Sequence, residues 1–176
     1  MDSASLDSFL QSLEQKAYRI AVISLRSPED ALDVVQDSML RFVEKYRNKP
    51  ASQWKPLFYR ILYNCIASER RKRLVRNKFF SWLTPRTEEG DPIAEMGDMS
   101  QPGPEHCASV RRAYALLEQK MLNLSYRQQQ AFMLRAHEDL SVAETALAMQ
   151  CSEGSVKTHY ARALENLRTQ LGDQWP

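Results

Sequence analysis

Leu6, Phe9, Leu10, Leu13, Ala17, Ile20 and Ala21 recur at spacings of three and four between Ser5 and Leu25, which sets them on one face of an amphipathic helix. Ser27-Pro28-Glu29-Asp30 then supplies a hydroxyl cap, a proline at the first helical position and carboxylates at the positive helix end. A second helix is therefore predicted from Pro28 to about Arg47. Its apolar positions Ala31, Leu32, Val34, Val35, Met39, Phe42 and Val43 cover more of the helix than one neighbour would bury, while Asp33, Gln36 and Asp37 stay polar among them. Part of that surface is left for a partner. Asn48-Lys49-Pro50 ends the helix, because proline disfavours helical geometry in the residue before it. A third helical segment, intact or broken, spans about Trp54 to Phe80 with the stripe Leu57, Phe58, Ile61, Leu62, Cys65 and Ile66.

In the last part of the chain, Val110, Ala113, Leu116, Leu117, Met121 and Leu124 predict another helix, and Tyr126 to His137 a further one. Ser141 and Glu144 stand three apart before a helix-favouring run, as a capping box requires, and Ser152 offers the next N-cap. Val156, Tyr160, Leu164, Leu167 and Leu171 follow on one helical face. A short helix, a tight turn and a longer helix make a helix-turn-helix, whose second helix lies in the DNA major groove. Opposite its apolar face stand Ser155, Lys157, Thr158, His159 and Arg162, short polar groups and cations suited to base edges and phosphates. No strand pattern of any length and no internal repeat occurs, so the fold class is all-α.

The 176 residues carry a net charge of only +2, so any electrostatic footprint must come from local distribution. Between Ser68 and Arg86 seven cations face Glu69 alone, a net +6, and between Thr87 and Glu105 six carboxylates face no cation, a net −6. The acidic stretch also holds Gly90, Gly97, Gly103, Pro92, Pro102 and Pro104 and cannot bury enough apolar surface to offset its ordering entropy. It reads as a flexible linker over 87–105 between two small helical domains, 1–86 and 106–176. No apolar run is long enough to cross a membrane, and Met1 to Leu25 lacks the pattern of a signal peptide, so a cytoplasmic protein that is not membrane-embedded is expected. Cys65, Cys107 and Cys151 are widely separated and without metal-ligand spacing, which predicts reduced thiols and no metal. No carboxylate pair, glycine-rich phosphate loop or nucleophile–base arrangement rises above composition, so neither an enzyme nor a cofactor is expected.

Helical domain, basic aromatic helix, acidic linker and helix-turn-helix, in this order, resemble the extracytoplasmic-function sigma factors of the sigma-70 family. Asp33-Val34-Val35-Gln36-Asp37-Ser38-Met39-Leu40 is similar to the family's D-[LV]-V-Q-[ED]-x-[FM]-[LI] stretch, and Phe58-Tyr59-Arg60-Ile61-Leu62-Tyr63-Asn64 to its L-Y-R-I-A-x-N stretch. Leu140-Ser141-Val142-Ala143-Glu144-Thr145-Ala146 and Ser152-Glu153-Gly154-Ser155-Val156-Lys157 are similar to G-L-S-x-x-E-[IA]-A and S-x-G-T-V-K-[ST]. The resemblance covers nearly all of residues 5 to 171, and it is the order and spacing of the motifs that is specific.

The resemblance implies an initiation factor without catalytic activity that binds core RNA polymerase through the clamp helices of the largest subunit and the flap region. Periodicity alone makes Gln36 a solvated helix position; the resemblance instead places Leu32, Asp33, Gln36, Asp37 and Met39 in the polymerase-binding patch. Promoter DNA is the second implied partner. At the −10 element, aromatic faces, an amide and nearby cations can hold unstacked bases, which points to Tyr59, Arg60, Tyr63 and Asn64, with Arg70, Arg71, Lys72 and Arg73 on phosphates. Phe58 and Ile61 are assigned to the core. Ser155, Lys157, Thr158, His159 and Arg162 would meet the −35 element, and Glu88, Glu89, Asp91 and Glu95 would thread the polymerase's nucleic-acid channel. A membrane-linked anti-sigma factor is a further partner that the resemblance allows.

This chain departs from the family at Leu57, where a tryptophan is frequent, at Ser68, where an aspartate is, and at Gln150, where the tight turn usually carries glycine. A left-handed Gln150 would cost roughly 1 kcal/mol, so the turn either differs or is strained. Two rival readings are a stand-alone helix-turn-helix regulator that binds duplex operators without polymerase, and a helical adaptor.

Overall fold

The computed structural model describes the backbone of residues 3–83 and 116–172 and the side chains of 5–76 and 116–172. All regular structure among them is helical. The chain divides into two compact units, Met1–Glu95 and Met96–Pro176. The acidic stretch 87–105, the expected domain start near His106 and the apolar positions Val110 and Ala113 lie outside the described residues.

In the first unit, α1 spans Ser3–Leu25 and buries Leu13, Ala17, Ile20 and Ala21, four of the seven positions its periodicity marks. Arg26 turns the chain with φ 53, its N–H reaching the Val22 carbonyl at 2.7 Å. Helix α2 follows over Pro28–Tyr46 with Ser27 as its cap: the Ser27 hydroxyl accepts from the Asp30 N–H at 3.3 Å and proline sits at the helix start. Ala31, Val34, Val35, Ser38 and Phe42 form its buried face. Past Pro50 a short 3-10 turn, Ala51–Gln53, leads into α3, Trp54–Leu83, which runs without a break.

The first half of α3 is buried nearly all round, through Trp54, Leu57, Phe58, Tyr59, Ile61, Leu62, Tyr63, Cys65 and Ile66. Aromatic rings fill the space between the three helices. Phe9 lies 5.3 Å from Trp54, and Phe42 meets Phe58 edge-on at 5.9 Å, geometries that favour the ring quadrupoles beyond simple burial. The Trp54 indole N–H donates to the Lys49 carbonyl at 2.7 Å, which satisfies the ring's one polar group.

In the second unit, residues 116–121 are helical and are labelled α4. Helix α5, Tyr126–Phe132, continues into a wider π turn over Met133–His137, so the helix expected from Tyr126 to His137 is present with its last turn loosened. Helices α6, Val142–Met149, and α7, Glu153–Leu171, complete the unit. Its core gathers Met121, Leu124, Phe132, Leu134, Leu140, Met149, Val156 and Leu167, with Ala131, Ala148 and Ala163 where helices approach closely. Phe132 stacks against Tyr160 at 6.4 Å.

Candidate nucleic-acid and protein interfaces

The helix-turn-helix starts with the capping box its sequence encodes. The Glu144 carboxylate accepts from the Ser141 N–H at 2.8 Å, and the Ser141 hydroxyl from the Glu144 N–H at 3.2 Å. Helix α6 ends at Gln150, which takes a left-handed conformation with φ 54 and ψ 49, while the Cys151 N–H returns to the Ala146 carbonyl at 3.1 Å. The tight turn is therefore the strained form, without glycine's freedom. Asp139, where the family pattern has glycine before Leu140, holds a second positive φ of 52. Two arginines brace this frame. Arg127 donates to the Met149 carbonyl at 2.7 Å, at the end of α6, and Arg135 donates to the Leu140 carbonyl while lying over the Tyr160 ring at 5.9 Å. No sequence signal marked either. Three residues past Arg135, Glu138 is fully buried, its Oε1 2.8 Å from His137 Nδ1.

Helix α7 starts at Ser152, whose hydroxyl accepts from the Ser155 N–H at 3.2 Å. Val156, Ala163, Leu167 and Leu171 are buried, Tyr160 and Leu164 half-buried, and Lys157, Thr158 and Arg162 exposed on the other side. Ser155 and His159 are half-buried at the margin. The Ser155 hydroxyl shares a 2.9 Å hydrogen bond with that of Ser152, and the Thr158 hydroxyl donates to the Gly154 carbonyl at 3.0 Å. The first three turns thus carry the exposed cations Lys157 and Arg162 and the hydroxyls of Ser155 and Thr158, with that of Ser152 at the cap, the chemistry that meets phosphates and base edges.

On α2, Leu32 is 52% and Leu40 66% exposed, and with Gln36 between them they follow at intervals of four along one line, away from the buried face. Asp33 is exposed; Asp37 and Met39 are half-buried. Leu40 extends the patch expected from the sequence, and its spacing from Gln36 is the signal that could have found it. Asp37 is partly occupied within the unit. It accepts from Arg41 Nε at 2.8 Å and from the Cys65 thiol at 3.5 Å. Burial pushes the Cys65 thiol up from its ordinary range, only partly countered by a hydrogen bond from Ser38. Asp33, Asp37 and Arg41 line a groove between α2 and α3 with Cys65, Glu69 and Lys72.

Along α3 the expected DNA-binding set separates. Tyr59 is wholly buried and Tyr63 is 4% exposed, so their rings belong to the core and are not presented for stacking on bases, a correction to the sequence reading. Phe58 and Ile61 are core, as expected. Asn64 is exposed one residue on, and Arg60 is half-buried. In the basic run, Arg71 and Arg76 face solvent, and Lys72 pairs with Glu69 at 3.0 Å in an exposed bridge that contributes little. Arg70 and Arg73 instead reach other helices: Arg70 donates to the Ser24 carbonyl at 3.1 Å, and Arg73 to the Leu25 carbonyl and to Asp30. Among the described residues no His, Cys, Asp and Glu cluster could hold a metal ion, and no helix is long and apolar enough to cross a membrane.

Among the described residues all regular structure is helical and the last two helices form a helix-turn-helix, the form of a class of DNA-binding protein. Residues 114–167 match the family Sigma-70, region 4. The ECF RNA polymerase sigma factor SigM of Mycobacterium tuberculosis is 27% identical over 171 residues, covering 97% of this chain and 79% of that protein. The RNA polymerase sigma factor SigV of Bacillus subtilis is 28% identical, covering 90% and 86%. Among solved structures, the sigma factor RpoE of Bartonella quintana, determined in complex with the anti-sigma factor NepR, shares the fold with a TM-score of 0.62 at 22% identity, over 93% of this chain and 96% of that one. Residues 114–167 thus carry a sigma-70 region 4, and the chain over nearly its whole length is similar to extracytoplasmic-function sigma factors.

Proposed function

We propose that the chain divides the work of a sigma factor between three helix faces: α2 grips core RNA polymerase, α3 engages the −10 element, and α7 reads the −35 element. The observation that carries this reading is the reach of the similarity, which covers 97% of the chain against SigM, so both units and not the helix-turn-helix alone have counterparts in a sigma factor. On α2 the contact centres on Leu32, Asp33, Gln36 and Leu40, with Asp37 and Met39 at its edge. An apolar pair flanking an amide suits an interface in which a few central residues carry most of the energy.

On α3, Asn64 reads an unstacked base by its amide, Arg60 supports it, and Arg71, Lys72 and Arg76 bind phosphates. On α7, Lys157 and Arg162 anchor phosphates, while Ser155, Thr158 and His159 face base edges. The acidic stretch holding Glu88, Glu89, Asp91 and Glu95 occupies the polymerase channel meant for nucleic acid. An anti-sigma factor acts as the regulator, as the complex of the Bartonella quintana relative suggests. Run-off transcription from a genomic fragment library, with purified core polymerase and with or without this chain, tests the reading. Discrete transcripts that need both components are expected. Binding to specific duplexes without polymerase, and no such transcripts, would establish the stand-alone regulator instead.

A further inference from the structure

Past Ile66 the third helix leaves its core. From Ala67 to Arg76 no side chain is buried, and Leu74 and Val75 are 63% and 69% exposed. What this half extends to its neighbours is cationic: Arg70 to the Ser24 carbonyl, Arg73 to the Leu25 carbonyl and to the Asp30 carboxylate. Ser24 and Leu25 lie in the last turn of α1, where carbonyls lack intrahelical partners and the helix dipole is negative, and α1 has no basic residue of its own there. Asp30 lies in the first turn of α2. One guanidinium therefore joins the end of α1 and the start of α2, on either side of the Arg26 corner, to α3. Arg73 and Asp30 are 27% and 29% exposed, which desolvates the pair enough to set it apart from a surface bridge.

We infer that Arg73, supported by Arg70, is a positioning residue. It registers the basic half of α3 against the α1–α2 corner, and so fixes where Arg71 and Arg76 meet DNA, instead of binding phosphate itself. Both terminal nitrogens of Arg73 already have acceptors within the protein. The inference rests on the sigma-factor reading for its consequence in transcription, and on the geometry alone for the clamp.

Asp30→Asn decides between the two roles, because it removes the charged partner of the clamp and leaves every cation in place. In holoenzyme made with the full chain, Asp30→Asn and Arg73→Gln should each slow open-complex formation about tenfold, the scale of one lost charge-assisted contact, and the double variant should be no slower than either. The salt dependence of closed-complex binding should match wild type in all three. A phosphate ligand at Arg73 predicts otherwise: Arg73→Gln lowers the salt slope by about 0.9 and Asp30→Asn opens promoters as well as wild type, which would overturn the inference. In the free chain, amides of residues 67–76 should exchange on the order of tenfold faster in Asp30→Asn, with 54–66 unchanged; equal exchange in both segments refutes the clamp. A wild-type holoenzyme that opens no promoter refutes the sigma-factor reading, and the exchange measurement still decides the clamp.

Discussion

Gln150 and Thr145 carry the local strain of the helix-turn-helix, and magnitudes decide what each is worth. Gln150 sits at φ 54, where a side chain costs roughly 1–2 kcal/mol, but glycine in its place would cost about 0.5–1 kcal/mol of unfolded-chain entropy. The net gain expected of Gln150→Gly is thus only about 0.5 kcal/mol. Thr145 offers more. It is wholly buried, and its hydroxyl has no hydrogen-bond partner, whereas valine matches its shape without a polar group to desolvate. Thr145→Val should stabilise the second unit by about 1 kcal/mol, which raises the melting temperature of a unit this size by roughly 4–8 °C. Differential scanning calorimetry checks both variants. A gain from Gln150→Gly larger than that from Thr145→Val would mean the buried hydroxyl is satisfied and the turn is the dominant strain.

Among the elements, α2 is the one whose exposed and buried faces make a sharp prediction. Leu32 and Leu40 are more than half exposed, so truncating them removes little that the folded chain uses. Leu32→Ala with Leu40→Ala should leave thermal stability within about 0.5 kcal/mol of wild type yet weaken binding to core polymerase by about 2–4 kcal/mol, measured by competition between labelled factors. Equal losses in stability and binding would place these leucines in the fold. The helix starts were legible in the sequence because capping is local: Ser27, Ser141 and Ser152 each find their partner three residues on. The buried edge of α7 was legible for a similar reason, since one neighbouring layer covers one stripe. Tyr59 and Tyr63 were not, because α3 is enclosed on several sides and a single apolar stripe understates what three packed helices bury. The contacts of Arg70 and Arg73 within the fold have no signature in the sequence, because their partners lie 43 to 48 residues away, beyond any spacing rule. The π turn over Met133–His137 has no signature in the residues that form it.

For the whole molecule, charge argues that neither unit does the work alone. Between Leu140 and Leu171 the cations Lys157, Arg162 and Arg168 are balanced by Glu144, Glu153 and Glu165. Of those cations, Lys157 and Arg162 are the exposed ones in the first three turns of α7, so the helix-turn-helix can release few counterions on binding, and salt-dependent affinity scales with that number. Binding of the second unit to duplex DNA should therefore stay near the non-specific range, Kd on the order of 10⁻⁴–10⁻⁶ M at physiological salt. Joined in one chain to a unit already seated on polymerase, it meets the −35 element at an effective concentration of about millimolar, which can raise overall affinity by 10²–10⁴ without a new contact. Cutting the chain between Glu95 and Met96, where the two compact units divide, should accordingly abolish promoter-specific transcription even when both halves are supplied together. Run-off assays with the intact and the divided chain, at equal concentrations, make the comparison. Full activity from the divided chain, or nanomolar promoter binding by the second half alone, would show that specificity resides in the helix-turn-helix and not in its attachment.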